Sequence, residues 1–175
     1  MNPLRVAVNI AGYQCAWFAC VLSASAQRPE IGVAVASAVV AWHLHSAREP
    51  GRELRLIGVA VLIGAAFESL LVTGDWISME PALLFGQVTP LWMVAVWAAF
   101  ATTLNVSLRA LRPHWFLAAI LAAIGAPLAY YAGAQLGALQ WVHQMPALFV
   151  IAIGWAVITP LLLRSAQRFD GFLTP

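Results

Sequence analysis

An all-α, polytopic membrane helical bundle of six transmembrane helices is the fold class this sequence predicts, with both termini in the cytoplasm and short interfacial segments in the outer loops. Three observations predict it. The chain is 62% apolar and only 9% charged over 175 residues, whereas a soluble domain carries roughly 25% charged residues. Six apolar segments meet or approach the roughly 20 residues a helix needs to cross the hydrocarbon. The basic residues are all arginine, and nearly all fall between those segments on one side. A soluble fold of this length has too little core to hide so much apolar surface, so lipid is the solvent for much of it. The spans consume almost all the length, so residues 1–175 read as a single transmembrane domain.

The helices are expected at about 6–26, 29–45, 54–74, 90–108, 115–133 and 146–163. Pro29, Pro90 and Pro146 mark three of the starts, where a missing N–H costs nothing. Orientation follows from the arginines. With the N-terminus inside, Arg5, then Arg48, Arg52 and Arg55, then Arg109 and Arg112, then Arg164 and Arg168 are cytoplasmic, and only Arg28 is outside. The positive-inside rule therefore selects N-in/C-in for a multi-pass protein of a plasma membrane. Trp76, Trp115 and Trp141 fall at the expected interfaces.

The outer loop 75–89 is long. Trp76-Ile77 and Pro81-Ala82-Leu83-Leu84-Phe85 would suit a short helix lying in the interface. The stretch 133–145, with Leu136, Leu139, Trp141 and Val142, reads similarly. At the other end of the first segment, Ala24-Ser25-Ala26 before Gln27 imitates a signal-peptide cleavage site. That segment is long for a signal and carries Asn9, Tyr13, Gln14 and Trp17, so it is read as a retained first helix.

Glu68 is the most informative residue. It lies in an apolar run with no cation near it in sequence, and an intramembrane carboxylate costs about 2.5–3.5 kcal/mol on insertion scales, so it must face the bundle or water. Asp75 is seven residues on and is expected on the same helix face, with Glu68 roughly 10 Å deeper. Gly64 and Ala60 continue that face and let a neighbouring helix approach closely. Depth counting brings Trp17, Trp97, Tyr130 and Trp155 toward the level of Glu68, with Gln14 nearer the middle. These seven residues, Glu68, Asp75, Gln14, Trp17, Trp97, Tyr130 and Trp155, form the candidate ligand pocket, an aromatic-walled site in the outer third with a carboxylate at one side. Ordinary packing or lipid-facing positions are the competing explanation for each aromatic.

Other polar features read as structural. The run Thr102-Thr103-Leu104-Asn105-Val106-Ser107 ends the fourth helix at the level of Asn9, which suits hydrogen bonding between helices. Gly125, Ala129, Gly133 and Gly137 recur every four residues, a packing stripe for the bundle, for a second copy in a homo-oligomer, or for a partner membrane protein. Pro127 interrupts the hydrogen-bond ladder there. His43 and His45 are two apart, on nearly opposite helix faces, and cannot chelate one metal. Cys15 and Cys20 also diverge and read as small buried thiols. No metal and no cofactor is expected. No nucleophile–histidine–acid set, phosphate-binding loop or dinucleotide fingerprint is present, and nothing resembles a basic nucleic-acid surface.

The pattern Asn9-x4-Gln14-x2-Trp17, Glu68-x6-Asp75, Pro90-Leu91-Trp92-x4-Trp97-x2-Phe100-Ala101-x-Thr103-Leu104-x2-Ser107-Leu108 and Gly125-x-Pro127-x2-Tyr130-x2-Gly133-x3-Gly137 resembles a widespread family of small bacterial inner-membrane proteins classed as a domain of unknown function. The resemblance implies a similar length and helix count. It also implies a lipid-linked role, through gene clusters that hold cyclopropane-fatty-acid-synthase-like enzymes. It carries over no catalytic residue. Three function classes stay open. The chain binds or assists modification of a lipid or small apolar molecule around Glu68, or it is a proton-coupled transporter or permease subunit, or it is a structural partner without chemistry of its own. Whether it is an enzyme is undecided at this level, and membrane lipids are the one partner the composition demands.

Overall fold

Proline marks where the first helices begin. In the computed structural model, which describes residues 2–79 and 89–172, α1 (Pro3–Ser25), α2 (Pro29–Ser46) and α3 (Pro50–Thr73) each carry proline in the first turn. The missing N–H would have no partner within the helix at that position. The Asn2 side chain caps α1 by accepting the Leu4 N–H at 2.9 Å. Three further helices follow, α4 (Leu91–Leu104), α5 (Trp115–Gln135) and α6 (Gln144–Arg168), with a short 3-10 turn at Ser107–Leu111 between α4 and α5.

Among the described residues, α1, α3, α5 and α6 are long and apolar enough to cross a membrane, which marks the chain as a membrane protein. The expected count of six such helices is not reached by length and apolarity. α2 carries Glu30, His43 and His45 within 18 residues. α4 has 14 residues, about 21 Å of helix, against a hydrocarbon core of roughly 30 Å. The helix expected over 90–108 stops at Leu104 because the next residues find other partners. Asn105 donates to Glu53 Oε1 at 2.6 Å and to the Phe169 carbonyl at 3.0 Å, and the Ser107 N–H turns to Asn9 Oδ1 at 3.3 Å. Side-chain polar groups here outcompete continuation of the helical ladder.

α4 is the centre of the bundle. It packs on α1, α2 and α3 and touches α6, while α5 pairs with α6. Its sequence is apolar all round, as a fully surrounded helix should be, and Trp92, Trp97, Ala99, Ala101 and Leu104 are all buried. Two glycines set the approach distances. A Cβ at Gly32 would overlap the Cys20 backbone, so α1 and α2 meet backbone to backbone, and one at Gly64 would overlap the Trp97 ring. Small residues allow such contact where apolar lipid gives helices little other reason to associate.

The loops at one end are joined by a two-stranded antiparallel sheet, β1 (Ile77–Met79) with β2 (Leu139–Trp141), in the register Ile77–Trp141, Ser78–Gln140 and Met79–Leu139. The Trp76 carbonyl extends it by accepting Val142 and His143 N–H groups at 3.1 and 3.2 Å. The structure thus has paired strands where a short helix is expected at Trp76-Ile77 and within 133–145. Each segment is too short to satisfy its backbone alone, and pairing across the two loops does so. The segment expected at Pro81–Phe85 lies outside the described residues. The opposite end holds most of the arginines. The two are called the sheet end and the arginine end.

Candidate functional site

Glu68 is fully buried on α3 and is held by donors from two other helices. Trp97 of α4 donates its indole N–H to Oε1 at 3.0 Å. The Tyr130 hydroxyl of α5 donates to the same oxygen. No ion pair to Glu68 occurs among the described residues. Trp97 reaches it because Gly64 leaves room for its ring one turn earlier on α3. Trp155 of α6 stacks on Trp97 with centroids 4.6 Å apart and planes inclined by 21°. Phe100 stands edge-on to both, at 6.0 Å from Trp97 and 5.1 Å from Trp155, and Tyr13 of α1 closes on Phe100 at 6.0 Å. Aromatic groups from α1, α4, α5 and α6 thus converge on a carboxyl contributed by α3.

Beside this cluster lies a cavity of about 270 Å³, walled by α1, α4, α5 and α6. Tyr13, Trp17, Trp92, Trp97, Phe100, Tyr130 and Trp155 supply its aromatic surface, and among the described residues Glu68 is its one acidic lining residue. α5 contributes mostly small side chains, Ala122, Gly125, Ala126, Ala129 and Gly133. Three members of the expected packing stripe, Gly125, Ala129 and Gly133, line this volume, while Gly137 lies against Ser25. α5 continues through Pro127 as helix. α1 and α5 face each other across the cavity with little direct packing, and Gly125 and Leu121 line it while remaining exposed. The cavity therefore opens sideways between these helices. Its floor toward the arginine end is formed by Leu108 and Leu111 of the 3-10 turn and by Ala118, and its roof by Ala138 and Leu139 beside β2.

Of the expected pocket residues, Glu68, Trp17, Trp97, Tyr130 and Trp155 come together. Two do not. α3 ends at Thr73, and the chain turns at Gly74 and at Asp75, which has φ 57°. Asp75 is consequently off the helix face of Glu68 and is exposed. Gln14 is exposed on α1 and lies outside the cavity lining. Tyr13, Trp92, Phe100 and Thr159 were missed as lining residues. Their depths were countable, but their rotation about the helix axes was not.

Several buried polar atoms along this wall lack partners. Among the described residues, Glu68 Oε2, Trp92 Nε1, Trp155 Nε1 and Thr159 Oγ1 make no hydrogen bond, and all four residues line the cavity. The Trp155 N–H lies toward the Tyr130 hydroxyl without closing a bond.

A second polar cluster, which the sequence did not announce, sits at the arginine end. Glu53 of α3 is fully buried. It accepts from His43 Nε2 at 2.8 Å, Asn105 Nδ2 at 2.6 Å and the Gly171 N–H at 2.7 Å. The Gly171 carbonyl in turn accepts the Arg48 and Glu49 N–H groups at 3.0 and 3.1 Å. Asp170 pairs with Arg109 and Arg112, each at 2.7 Å, and Arg112 also donates to Asn105 Oδ1. Burial works against ionising Asp170, but Arg112, the Phe172 N–H and Arg109 outweigh it and hold the carboxyl below its ordinary range. Phe172 lies between the Arg5 guanidinium, 4.4 Å from the ring centroid, and the His43 ring at 5.1 Å. The C-terminal segment is therefore a strap across this end. It fixes the 3-10 turn that floors the cavity. Nearby, Asn9 donates to the Thr102 carbonyl at 3.1 Å and accepts from Ser107 Oγ at 2.8 Å.

No group of histidine, cysteine or carboxylate side chains among the described residues is arranged to hold a metal ion. No curated protein and no solved structure matches the chain. The family described as "Protein of unknown function (DUF2878)" matches residues 6–161, which include the residues named as lining the cavity and Glu68 with its two donors, and the chain belongs to that family.

Proposed function

We propose that this chain is a multi-pass protein of the bacterial inner membrane, with its arginine end in the cytoplasm, that takes a small apolar or amphipathic molecule from the lipid into the cavity beside Glu68. All six helices, including the shorter α2 and α4, belong to the membrane-embedded body. The observation that carries this reading is the sideways-open cavity with a buried, hydrogen-bonded carboxyl in its wall. An intramembrane ionisable group is costly and is retained where it meets a ligand or a partner. Volume limits the occupant. A cavity of about 150 Å³ holds benzene, so about 270 Å³ suits one ring or a short length of chain rather than a whole phospholipid. Proton-coupled transport draws less support. Buried apolar residues such as Leu104 separate Glu68 from the polar cluster at the arginine end.

The test uses Gly125→Leu. A Cβ at Gly125 meets nothing within 4 Å, so a longer side chain grows into the cavity mouth without displacing structure, and leucine favours helix over glycine. Solvent extraction and mass spectrometry of the purified protein should recover a membrane-soluble compound from wild type in near-equimolar amount and little from Gly125→Leu. Equal recovery from both proteins would refute the reading.

A further inference from the structure

We infer that the occupant carries its polarity as oxygen atoms on a flat ring, a lipid-soluble molecule of the benzoquinone or phenol class, with any tail leaving between α1 and α5. This rests on the ligand-binding reading above and narrows it. A pure hydrocarbon would leave Glu68 Oε2, Trp92 Nε1 and Thr159 Oγ1 unpartnered, although Glu68, Trp92 and Thr159 are 0%, 1% and 4% exposed. An orphaned buried polar group is costly, so a ligand that satisfies these groups is selected over one that does not.

The donor and acceptor pattern defines the complement. The Trp92 indole N–H can only donate, so the ligand must bring an acceptor near it. A carboxyl oxygen accepts when ionised and donates when protonated, and a threonine hydroxyl does both. Carbonyl and hydroxyl oxygens therefore serve all three sites, whereas a protonated amine or quaternary ammonium head has no acceptor to offer the Trp92 N–H. The free groups also lie at different depths along one wall. Trp92 is five residues nearer the sheet end of α4 than Trp97, and Thr159 is four residues nearer the arginine end of α6 than Trp155. That places them about 7.5 Å and 6 Å from the Trp97–Trp155 stack, on either side of it. A ligand with oxygens at more than one position on its ring can meet more of these groups than one with a single terminal hydroxyl. The walls favour a ring over a chain. Tyr13, Phe100 and Trp155 present aromatic surface that stacks or meets edge-to-face with a flat partner, and glycine and alanine on α5 leave a flat slot opposite them.

Three probes with the same tail separate the contributions: decyl-benzoquinone, decylbenzene and decanol. Each is titrated calorimetrically into the full-length protein in lipid nanodiscs, with empty nanodiscs subtracted. Decyl-benzoquinone should bind saturably at least tenfold more tightly than the other two. Trp92→Phe, which keeps a ring and removes the donor, should weaken it about tenfold, and Trp155→Phe provides an independent second variant if Trp92→Phe does not fold. Gly125→Leu should weaken all three probes. Equal affinity for the three probes, or no change in either tryptophan variant, would overturn the ring-oxygen assignment while binding in the cavity stands. Affinities untouched by Gly125→Leu would overturn the cavity reading itself.

Discussion

Trp97 serves three contacts from one position. Its ring fills the space left by Gly64, its face stacks on Trp155, and its N–H holds Glu68. Trp97→Phe keeps an aromatic ring but leaves a buried carboxyl with one donor fewer, a loss of about 1–3 kcal/mol. Glu68→Gln keeps a side-chain oxygen to accept from both Trp97 and Tyr130, so its cost should be smaller. Thermal unfolding in detergent should rank Trp97→Phe below Glu68→Gln in stability, and the reverse order would show that the charge of Glu68, rather than its hydrogen bonds, organises the site. At this scale the sequence was informative where a residue broke its surroundings. Glu68 stood out because nothing apolar explains a carboxylate there. Glu53 did not, because it sits between Arg52 and Arg55 just after Pro50, where a charge reads as solvated, and only the fold brings His43, Asn105 and Gly171 onto it.

At the scale of elements, apolar run length and the placement of proline located the six helices, but their ends depended on tertiary partners. α4 stops at Leu104 because Asn105 is recruited to Glu53 and the C-terminal strap, and that recruitment spans 52 residues of sequence. Asp75 was placed on the face of Glu68 by counting, and the turn at Gly74 removed it. The paired strands at the sheet end were not legible either, since three-residue strands carry almost no pattern of their own. The strap has a pH signature. The Asp170 carboxyl is held below its ordinary value, so its stabilising contribution is complete above the unfolded pKa of about 3.9 and is lost as pH falls through the folded value. Asp170→Asn should lower stability by roughly 3 kcal/mol near neutrality, the smaller end for breaking a buried pair, because Arg109 remains partly exposed. The melting-temperature gap between wild type and variant should close as the pH is brought below about 4. A gap that persists undiminished at lower pH would rule out an ionised Asp170 as the anchor of the strap.

For the whole molecule, the arrangement places polar order at the two ends and a soft, open volume between them. The arginine end is tied by Glu53, Asp170 and their partners, the sheet end by β1 and β2, and the cavity lies where α1 and α5 fail to close on each other. Orientation is testable with single cysteines in a background lacking Cys15 and Cys20. Asp75→Cys should react with a membrane-impermeant maleimide in intact cells, and Gly51→Cys only after the membrane is breached. Labelling in the opposite order would invert the topology. The central claim, a membrane molecule seated beside Glu68, is addressed most directly by native mass spectrometry of the protein released from nanodiscs made with its own lipid extract. Wild type should carry a single bound species of defined mass that survives mild activation, and Gly125→Leu should emerge bare. Wild type emerging bare, or both proteins carrying the same adducts in the same proportion, would contradict it.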